Sequence, residues 1–369
     1  MTRFIHTSDI HLGRRFGRYP EALRNRLTEA RQTALSRIAD AARAHQAEFI
    51  LVAGDLFDTA TPSPRTIAHA LEILNEDQAL TWVIIPGNHD PFSSDELWTR
   101  VRASAGPNIH IASEPAPLNI GSATILPAPL LSKNTALDLT AWMDTCDTSA
   151  DRTRIGLAHG AIVDFGDGEG QGIIDPVRAT SARLDYLALG DWHGQRQVKP
   201  RTWYSGTPEP DRFRHDAPGQ VLAVTVDAPG AQAQVTPVET GAFLWRDMAL
   251  DIVPGMAPAD TLRTRLPEGT RRQTLLRLAV TGRSDLAGKL ALSDIVREVT
   301  PEFAWVDFDD TGLAVEYDAA DLDGIDLAGA LREAASELLA EASDTALSEA
   351  DRKVAGAALT RLYSIAGSL

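Results

Sequence analysis

The chain has one cysteine, Cys146, so no internal disulfide can form, which fits a reducing cytosol, and no thiolate competes as a metal ligand. It has no apolar run approaching the ~18 to 20 residues of a spanning helix, so no membrane segment is expected. After Met1 the chain passes directly into Arg3-Phe4-Ile5, with no apolar leader or small-residue cleavage site. A cytoplasmic location is the expectation. Positive charge is scarce: the net charge of −16 opposes broad, non-specific attraction to a phosphate polymer. Internal repeats are absent, and so is a phosphate loop. The glycine-rich run from Gly160 to Gly172 carries Asp164, Asp167 and Glu169, lacks the GK[ST] ending, and reads as a mobile loop.

What is there suits a soluble globular protein. At 369 residues, 44% apolar and 23% charged, two or three folding units are expected, a large α/β domain with a smaller companion. The charge is uneven. Arg3, Arg14, Arg15, Arg18, Arg24, Arg26, Arg31 and Arg37 crowd the first 40 residues, and the C-terminal stretch is strongly acidic. A basic rim for phosphates and an ordinary solvated loop and helix both fit these arginines.

Phe4-Ile5 reads as a short strand, followed by one helix carrying Leu27, Ala30, Ala34, Leu35, Ile38 and Ala42. Phe49 to Val52 and Trp82 to Ile85 read as buried strands, with a helix through Ile67, Ala70, Leu71 and Leu74 between them. This alternation implies a mostly parallel, covered sheet. Further strands are expected at Ala123 to Leu126, Ile155 to Ala158 (after a helical stretch) and Tyr186 to Leu189, then a hairpin from Val221 to Val238 turning at Pro229-Gly230. Residues 246–318 read as a separate α+β unit, with strands near Leu275 to Val280 and Ala304 to Phe308 around a helix through Leu290, Leu292, Ile295 and Val296. Two helices finish the chain, one through Leu327, Leu331, Ala334 and Leu338, the other starting at Ser348 with Asp351 as in a capping box.

Five of the strands expected in the first domain end in a small cluster of metal-type ligands. The clusters are Asp9-Ile10-His11, Gly54-Asp55-Leu56-Phe57-Asp58, Gly87-Asn88-His89-Asp90, His159-Gly160 and Gly190-Asp191-Trp192-His193. Ligands bind beyond the carboxyl ends of strands in open α/β sheets, so these segments should converge on one crevice. Carboxylate, amide oxygen and imidazole together suit Mn²⁺, Fe²⁺ or Zn²⁺. Two ions ~3.5 to 4 Å apart that share a carboxylate are suited to hydrolysis of phosphate esters. Taken singly, an Asp after a strand is commonly a turn residue; five such clusters in this order are not a coincidence of composition.

The order DxH, GDxxD, GNHD, HG and GDxH resembles the calcineurin-like metallophosphoesterase superfamily, and Thr7 to Gly13 with Gly54 to Asp58 resemble its SbcD-type DNA repair nucleases, including the relatives called YhaO. The motifs cover roughly residues 3–215. The resemblance implies a sandwich of two sheets flanked by helices at residues 1–240, an α+β capping domain at 241–322 and partner-binding helices at 323–369. It implies two divalent ions, with Mn²⁺ foremost and Fe²⁺, Mg²⁺ or Zn²⁺ as alternatives. Asp9, His11 and His193 would hold the first ion, Asn88, His159 and Asp191 the second, and Asp55 would bridge. His89 would stabilise or protonate the leaving oxygen, with Asp58 orienting its imidazole. One position departs from the pattern: Asp191 stands where the family carries the first histidine of GHxH, which favours harder ions.

The resemblance further implies DNA as substrate, a coiled-coil ATPase of the SbcC type as partner, and a homodimer. Arg14, Arg15 and Arg18 follow the first motif and are the candidate phosphate contacts, with Arg196, Lys199, Arg201, Arg212 and Arg214 extending the rim. Tyr204 to Pro208 resembles a segment that follows the last motif in this superfamily and also fits a plain strand and turn. Two rival readings remain: a small-molecule phosphodiesterase or phosphatase, and a non-catalytic scaffold. The narrower substrate of the first suits the acidic charge; retention of His89 and nearly all ligands opposes the second.

Overall fold

The structure is a computed structural model that describes every residue except 134–136, 163–173, 215–216, 254, 317–329 and 367–369. The chain divides into two compact units, Met1–Trp245 and Arg246–Leu369.

The first unit opens with β1 (Thr2–Thr7), α1 (Glu21–Gln32), α2 (Ala34–Ala44), β2 (Phe49–Ala53), α3 (Pro64–Glu76), β3 (Thr81–Ile85), α4 (Asp95–Ser104) and β4 (Ile109–Ile111). It continues with β5 (Leu118–Ile120), β6 (Ala123–Ala128), β7 (Thr153–His159), α5 (Arg178–Ser181), β8 (Tyr186–Gly190), β9 (Arg196–Lys199), β10 (Thr202–Tyr204), β11 (Gln220–Val226) and β12 (Gln234–Glu239). Two six-stranded sheets result, in the orders β12-β11-β1-β2-β3-β4 and β5-β6-β7-β8-β10-β9. β1 to β4 run parallel, as do β6, β7, β8 and β10; the remaining strands pair antiparallel at the edges.

Alternation along each strand decides which layer it serves. Phe4, Phe49, Leu51, Val83 and Ile85 meet Ile125, Ile155, Leu157, Tyr186 and Ala188 of the other sheet, which makes a sandwich. Their neighbours Ile5, Ile50, Val52, Trp82 and Ile84 face outward onto Leu35, Ile38, Leu71, Leu74 and Trp98 of the helices. A third cluster, with Leu126, Met143, Ala179, Leu187 and Tyr204, covers the second sheet. The architecture is a two-sheet α/β sandwich flanked by helices, as the resemblance implies.

Two local expectations are corrected. The single helix expected through residues 27–42 is broken at Thr33, whose hydroxyl donates back to the carbonyls of Glu29 at 3.0 Å and Ala30 at 3.2 Å, an alternative to the helical ladder. Among the described residues, the helical stretch expected before β7 is a 3-10 turn at Ala141–Asp144. The hairpin of β11 and β12 forms as expected, pairing Gln220 with Glu239 and Thr225 with Gln234. Most of the Gly160 to Gly172 run lies outside the described residues.

The second unit contains β13 (Leu244–Ile252, which begins at the end of the first unit), α6 (Pro258–Arg265), β14 (Thr274–Asp285), α7 (Leu286–Val299), β15 (Trp305–Glu316), α8 (Ala330–Ser343) and α9 (Glu349–Ala366). β14 and β15 pair in parallel, with α7 as the crossover, over a core of Leu276, Leu278, Val280, Leu292, Ile295 and Val296. α7 is capped by Asp285, which accepts the Gly288 amide at 2.7 Å. α8 and α9 pack on each other through Ala335 and Leu359, and Ser348 caps α9 by accepting the Asp351 amide at 3.1 Å. Leu327 of the expected helix lies outside the described residues. No helix among the described residues is long and apolar enough to cross a membrane.

Candidate metal centre

The carboxyl ends of β1, β2, β3, β7, β8 and β10 meet at one edge of the sandwich. His159 Nδ1, at the end of β7, donates to the Ala53 carbonyl at the end of β2 at 2.8 Å, and Ser8 Oγ lies 3.0 Å from Ser205 Oγ, just beyond β10. Two sheets therefore feed one crevice.

The loops after β1 and β2 are zipped together by main-chain bonds: Asp9 N to Gly54 O at 3.1 Å, His11 N to Asp55 O at 3.0 Å, Leu12 N to Leu56 O at 2.9 Å and Asp58 N to Leu12 O at 3.0 Å. Their backbone is strained. Four of the seven described non-glycine residues with positive φ belong to the clusters read from the sequence: Asp9 at 53°, His11 at 51°, Asp55 at 55° and Asp191 at 97°. Such conformations cost about 1 to 3 kcal/mol each and concentrate at functional sites. Side-chain volume is also excluded. A Cβ at Gly87 would lie 2.2 Å from Asp55 Oδ1, and one at Gly190 would lie 1.9 Å from the Ala53 carbonyl.

Into this edge project all seven candidate ligands. Asp9 Oδ1 lies 4.0 Å from His11 Nε2 and 3.9 Å from His193 Nε2, and the two imidazole nitrogens are 3.2 Å apart. Around His159 Nε2 stand Asn88 Oδ1 at 3.3 Å, Asp55 Oδ2 at 3.5 Å and Asp191 Oδ1 at 3.9 Å. Asp55 Oδ2 is also 3.7 Å from His11 Nε2, so this carboxylate faces both sets, while its Oδ1 accepts the His89 amide at 2.8 Å.

The electrostatics fit a site for cations. Burial pushes the Asp9 carboxyl up and the Asp55 carboxyl well up from the ordinary carboxylate range. Burial, helped by the charges of His193 and Arg31, holds His11 well below the usual imidazole value. Burial also opposes protonation of His159, but Asp55, Asp9 and Asp191 outweigh it and raise this imidazole to about 9. These buried carboxylates face imidazole nitrogens across 3 to 4 Å, an arrangement that added positive charge stabilises. The donors, carboxylate and amide oxygen with imidazole nitrogen, suit a divalent metal ion.

Beside these donors His89 is held differently from the expectation. Its Nδ1 lies 2.8 Å from the main-chain carbonyl of Asp58, not from the carboxylate. The Asp58 carboxylate instead pairs with Arg14 Nη1 at 3.0 Å and lies 3.5 Å from His11 Nδ1. Arg14 is thus not an open phosphate contact: its Nε also lies 3.2 Å from Asp211 Oδ2. Arg15 is exposed. Arg18 lies over the Tyr19 ring at 4.8 Å and donates to its hydroxyl. Arg201 is engaged by the Leu184 and Gly230 carbonyls and by Asp185, and Arg214 lies over Trp192 at 5.2 Å. Arg212 remains at the crevice, 3.4 Å from His193.

Sequence reading missed the residues that brace the site. Arg31, buried on α1, donates to the carbonyls of Ile10 and Glu209, each at 2.6 Å, and so ties the first motif to the segment after β10. Glu209 accepts Arg37 at 2.7 Å and the amides of Ala242 at 2.6 Å and Phe243 at 3.1 Å. Asp90 sits within a motif yet turns away from the crevice: its carboxylate accepts the amides of Phe57 at 2.9 Å and Gly87 at 2.7 Å, and burial raises it to about 7 against those bonds. Asp211 is held well below the carboxylate range because Arg31, His193, Arg212 and Arg14 overcome the effect of burial. The one signal in sequence was a charged residue in a short polar stretch, which many surface turns share. The Tyr204 to Pro208 segment proves part of the bracing too, since Thr207 Oγ1 donates to the Asp9 carbonyl at 2.9 Å.

The chain is similar in sequence to several known proteins. The SbcD component of nuclease SbcCD from Escherichia coli is 26% identical over 259 residues, 57% of this chain and 61% of its own length. DNA double-strand break repair protein Mre11 of Methanosarcina acetivorans is 23% identical over 258 residues, 68% of this chain and 41% of its own. The uncharacterized metallophosphoesterase YhaO of Bacillus subtilis is 34% identical over 120 residues, 31% of this chain and 28% of its own. The chain thus spans 61% or less of each of these relatives. The solved structure of TT1561 of Thermus thermophilus is 13% identical, with a TM-score of 0.42, covering 64% of this chain and 98% of that one. The family model described as calcineurin-like phosphoesterase matches residues 2–195, more than half of the sequence, and with the clustered donors at its strand ends this chain belongs to that family as a metal-dependent hydrolase.

Proposed function

We propose that this chain is a two-metal phosphodiesterase that cleaves DNA, the nuclease component of an SbcD-type repair assembly in the cytoplasm. The observation that carries the reading is Asp55, whose Oδ2 lies 3.7 Å from His11 and 3.5 Å from His159 and so faces both donor sets. Asp9, His11 and His193 would hold one ion and Asn88, His159 and Asp191 the other, with the Asp55 carboxylate shared by the two sets. Bound there, the pair supplies Lewis acidity toward the phosphoryl group and an activated water at neutral pH. Mn²⁺ suits the mixed donors best, and Asp191 in place of histidine moves the preference toward harder ions.

The chain's own residues do the rest. A carbonyl oxygen can only accept, so the Asp58 carbonyl fixes the proton on His89 Nδ1 and leaves Nε2 to meet the substrate. With a second proton on Nε2, as the imidazolium, His89 would stabilise or protonate the departing oxygen from there. Arg14, clamped between Asp58 and Asp211, steadies that carbonyl. DNA as substrate is supported by the names of the relatives, a nuclease component and a DNA repair protein. The α+β part of the second unit would act as a cap for DNA, and α8 with α9 would dock on a coiled-coil ATPase; a homodimer completes the assembly. A small-molecule phosphodiesterase is the second reading, favoured by the net charge of −16.

Purified protein with Mn²⁺ is incubated with labelled single- and double-stranded DNA and with bis-p-nitrophenyl phosphate, beside His89→Ala. Degradation of DNA by the wild type alone is expected. Cleavage of the small ester with none of DNA, in the presence of the coiled-coil ATPase, would move the assignment to the second reading.

A further inference from the structure

We propose that Arg212 is the residue through which this site grips the phosphate of its substrate, and that Asp211 aims it. The inference rests on the phosphodiesterase reading and names the contact that reading lacks, since Arg14 is already engaged by two acids.

Asp211 is buried, its side chain 1% exposed, and it divides its two oxygens between two arginines. Oδ2 faces Arg14 Nε at 3.2 Å, and Oδ1 accepts Arg212 Nε at 2.9 Å. The two guanidinium groups then differ in what they have left. Arg14 gives a second donor, Nη1, to Asp58 at 3.0 Å. Arg212 is anchored at Nε, and its Nη2 reaches the His193 ring, 3.4 Å from both nitrogens. Its side chain is 39% exposed against 12% for His193, so the guanidinium is more open to solvent than the candidate ligand it touches. Arg212 and Asp211 also line a small cavity with His193, Gly206, Thr207 and Pro218.

This placement answers an electrostatic difficulty of the site. Asp9, Asp55 and Asp191 line the crevice, and a phosphodiester approaching them needs a fixed cation at the rim as well as ions beneath. A guanidinium offers two parallel N–H donors that match two oxygens of one phosphate, which an ammonium cannot do. With Nε held by a buried carboxylate, the plane of the group is set before substrate arrives, so little side-chain freedom is lost on binding. The class of ligand is therefore a phosphodiester, and inorganic phosphate is its simplest probe.

The test uses the full chain loaded with Mn²⁺ and compares wild type with Arg212→Gln, Arg212→Lys and Asp211→Asn. kcat and KM are measured on bis-p-nitrophenyl phosphate and on a short oligonucleotide, with Mn²⁺ binding followed by calorimetry. Arg212→Gln should raise KM by roughly 10- to 100-fold, the loss of one bidentate charged contact, with Mn²⁺ affinity unchanged. Arg212→Lys should recover part of the loss, and Asp211→Asn should raise KM less than Arg212→Gln. An unchanged KM in Arg212→Gln overturns the proposal, as does a loss confined to Mn²⁺ affinity. If the wild type turns over no phosphodiester, the functional reading fails on its own, and calorimetry of inorganic phosphate binding still decides: weaker binding to Arg212→Gln supports the proposal, equal binding overturns it.

Discussion

The main-chain carbonyl of Asp58 accepts the Nδ1 hydrogen of His89 at 2.8 Å, which fixes the tautomer of that imidazole without any carboxylate. Removing His89 should therefore cost far more than neutralising Asp58. His89→Ala is expected to lower kcat by about 10²- to 10⁴-fold with Mn²⁺ affinity unchanged. Asp58→Asn keeps the carbonyl and should lose less, through its contacts with Arg14 and His11. Steady-state kinetics of the two variants make the comparison; equal losses would assign the orienting role to the carboxylate.

At the centre of the sandwich edge, Gly190 leaves no room for a methyl group. A Cβ there would stand 1.9 Å from the Ala53 carbonyl and 2.8 Å from His159 Nδ1. Gly190→Ala must part the two sheets at this point, at a cost of about 3 kcal/mol or more. Urea denaturation should show it as a lower midpoint, and a midpoint equal to that of the wild type would refute the close approach.

Arg31 is a buried cation that serves two carbonyls on different loops. Arg31→Met leaves the oxygens of Ile10 and Glu209 without donors and removes the charge that faces Asp211 and Glu209. The expected destabilisation is about 3 to 5 kcal/mol. Because the Ile10 carbonyl lies between Asp9 and His11, Mn²⁺ affinity should fall as well. Chemical denaturation and metal titration of the same variant measure both.

His6 gives the fold a dependence on pH. It is buried between the Tyr186 hydroxyl at 3.0 Å and the Leu189 carbonyl at 3.2 Å, and burial lowers it to about 3, with the carbonyl bond opposing. An unfolded histidine titrates near 6.5, so as pH falls below that value the unfolded chain takes up a proton that the folded chain refuses. The contribution is present above pH ~6.5 and is lost as pH falls toward 3. Near pH 4.5 it amounts to roughly 2 to 3 kcal/mol. His6→Gln should show a shallower decline of stability between these values than the wild type; identical slopes would exclude His6 as the source.

How much of this was legible in the sequence depends on whether a residue's role is local. The clusters at Asp9, Asp55, Asn88, His159 and Asp191 each follow an apolar strand, and parallel strands bring their carboxyl ends together, so their convergence follows from pattern and topology. The alternation of Phe4 with Ile5 and of Leu51 with Val52 likewise declared two covered faces. Arg31, Glu209 and Asp211 act on partners about 180 to 200 residues away or across a turn, as Arg31 does on Glu209 and Asp211 on Arg14, and nothing in their neighbourhood marks them. Asp90 stands inside a motif and serves main-chain amides instead. The break at Thr33 depends on one hydroxyl choosing the carbonyls of Glu29 and Ala30, a choice that helical spacing cannot reveal.

Asp55 placed between two donor sets is the centre of the account, and Mn²⁺ reports on it directly. Electron paramagnetic resonance of protein titrated with Mn²⁺ should show two ions bound and a spin-coupled spectrum, which Asp55→Asn abolishes. A spectrum of isolated ions at every loading of the wild type would contradict a shared carboxylate and, with it, the two-metal site.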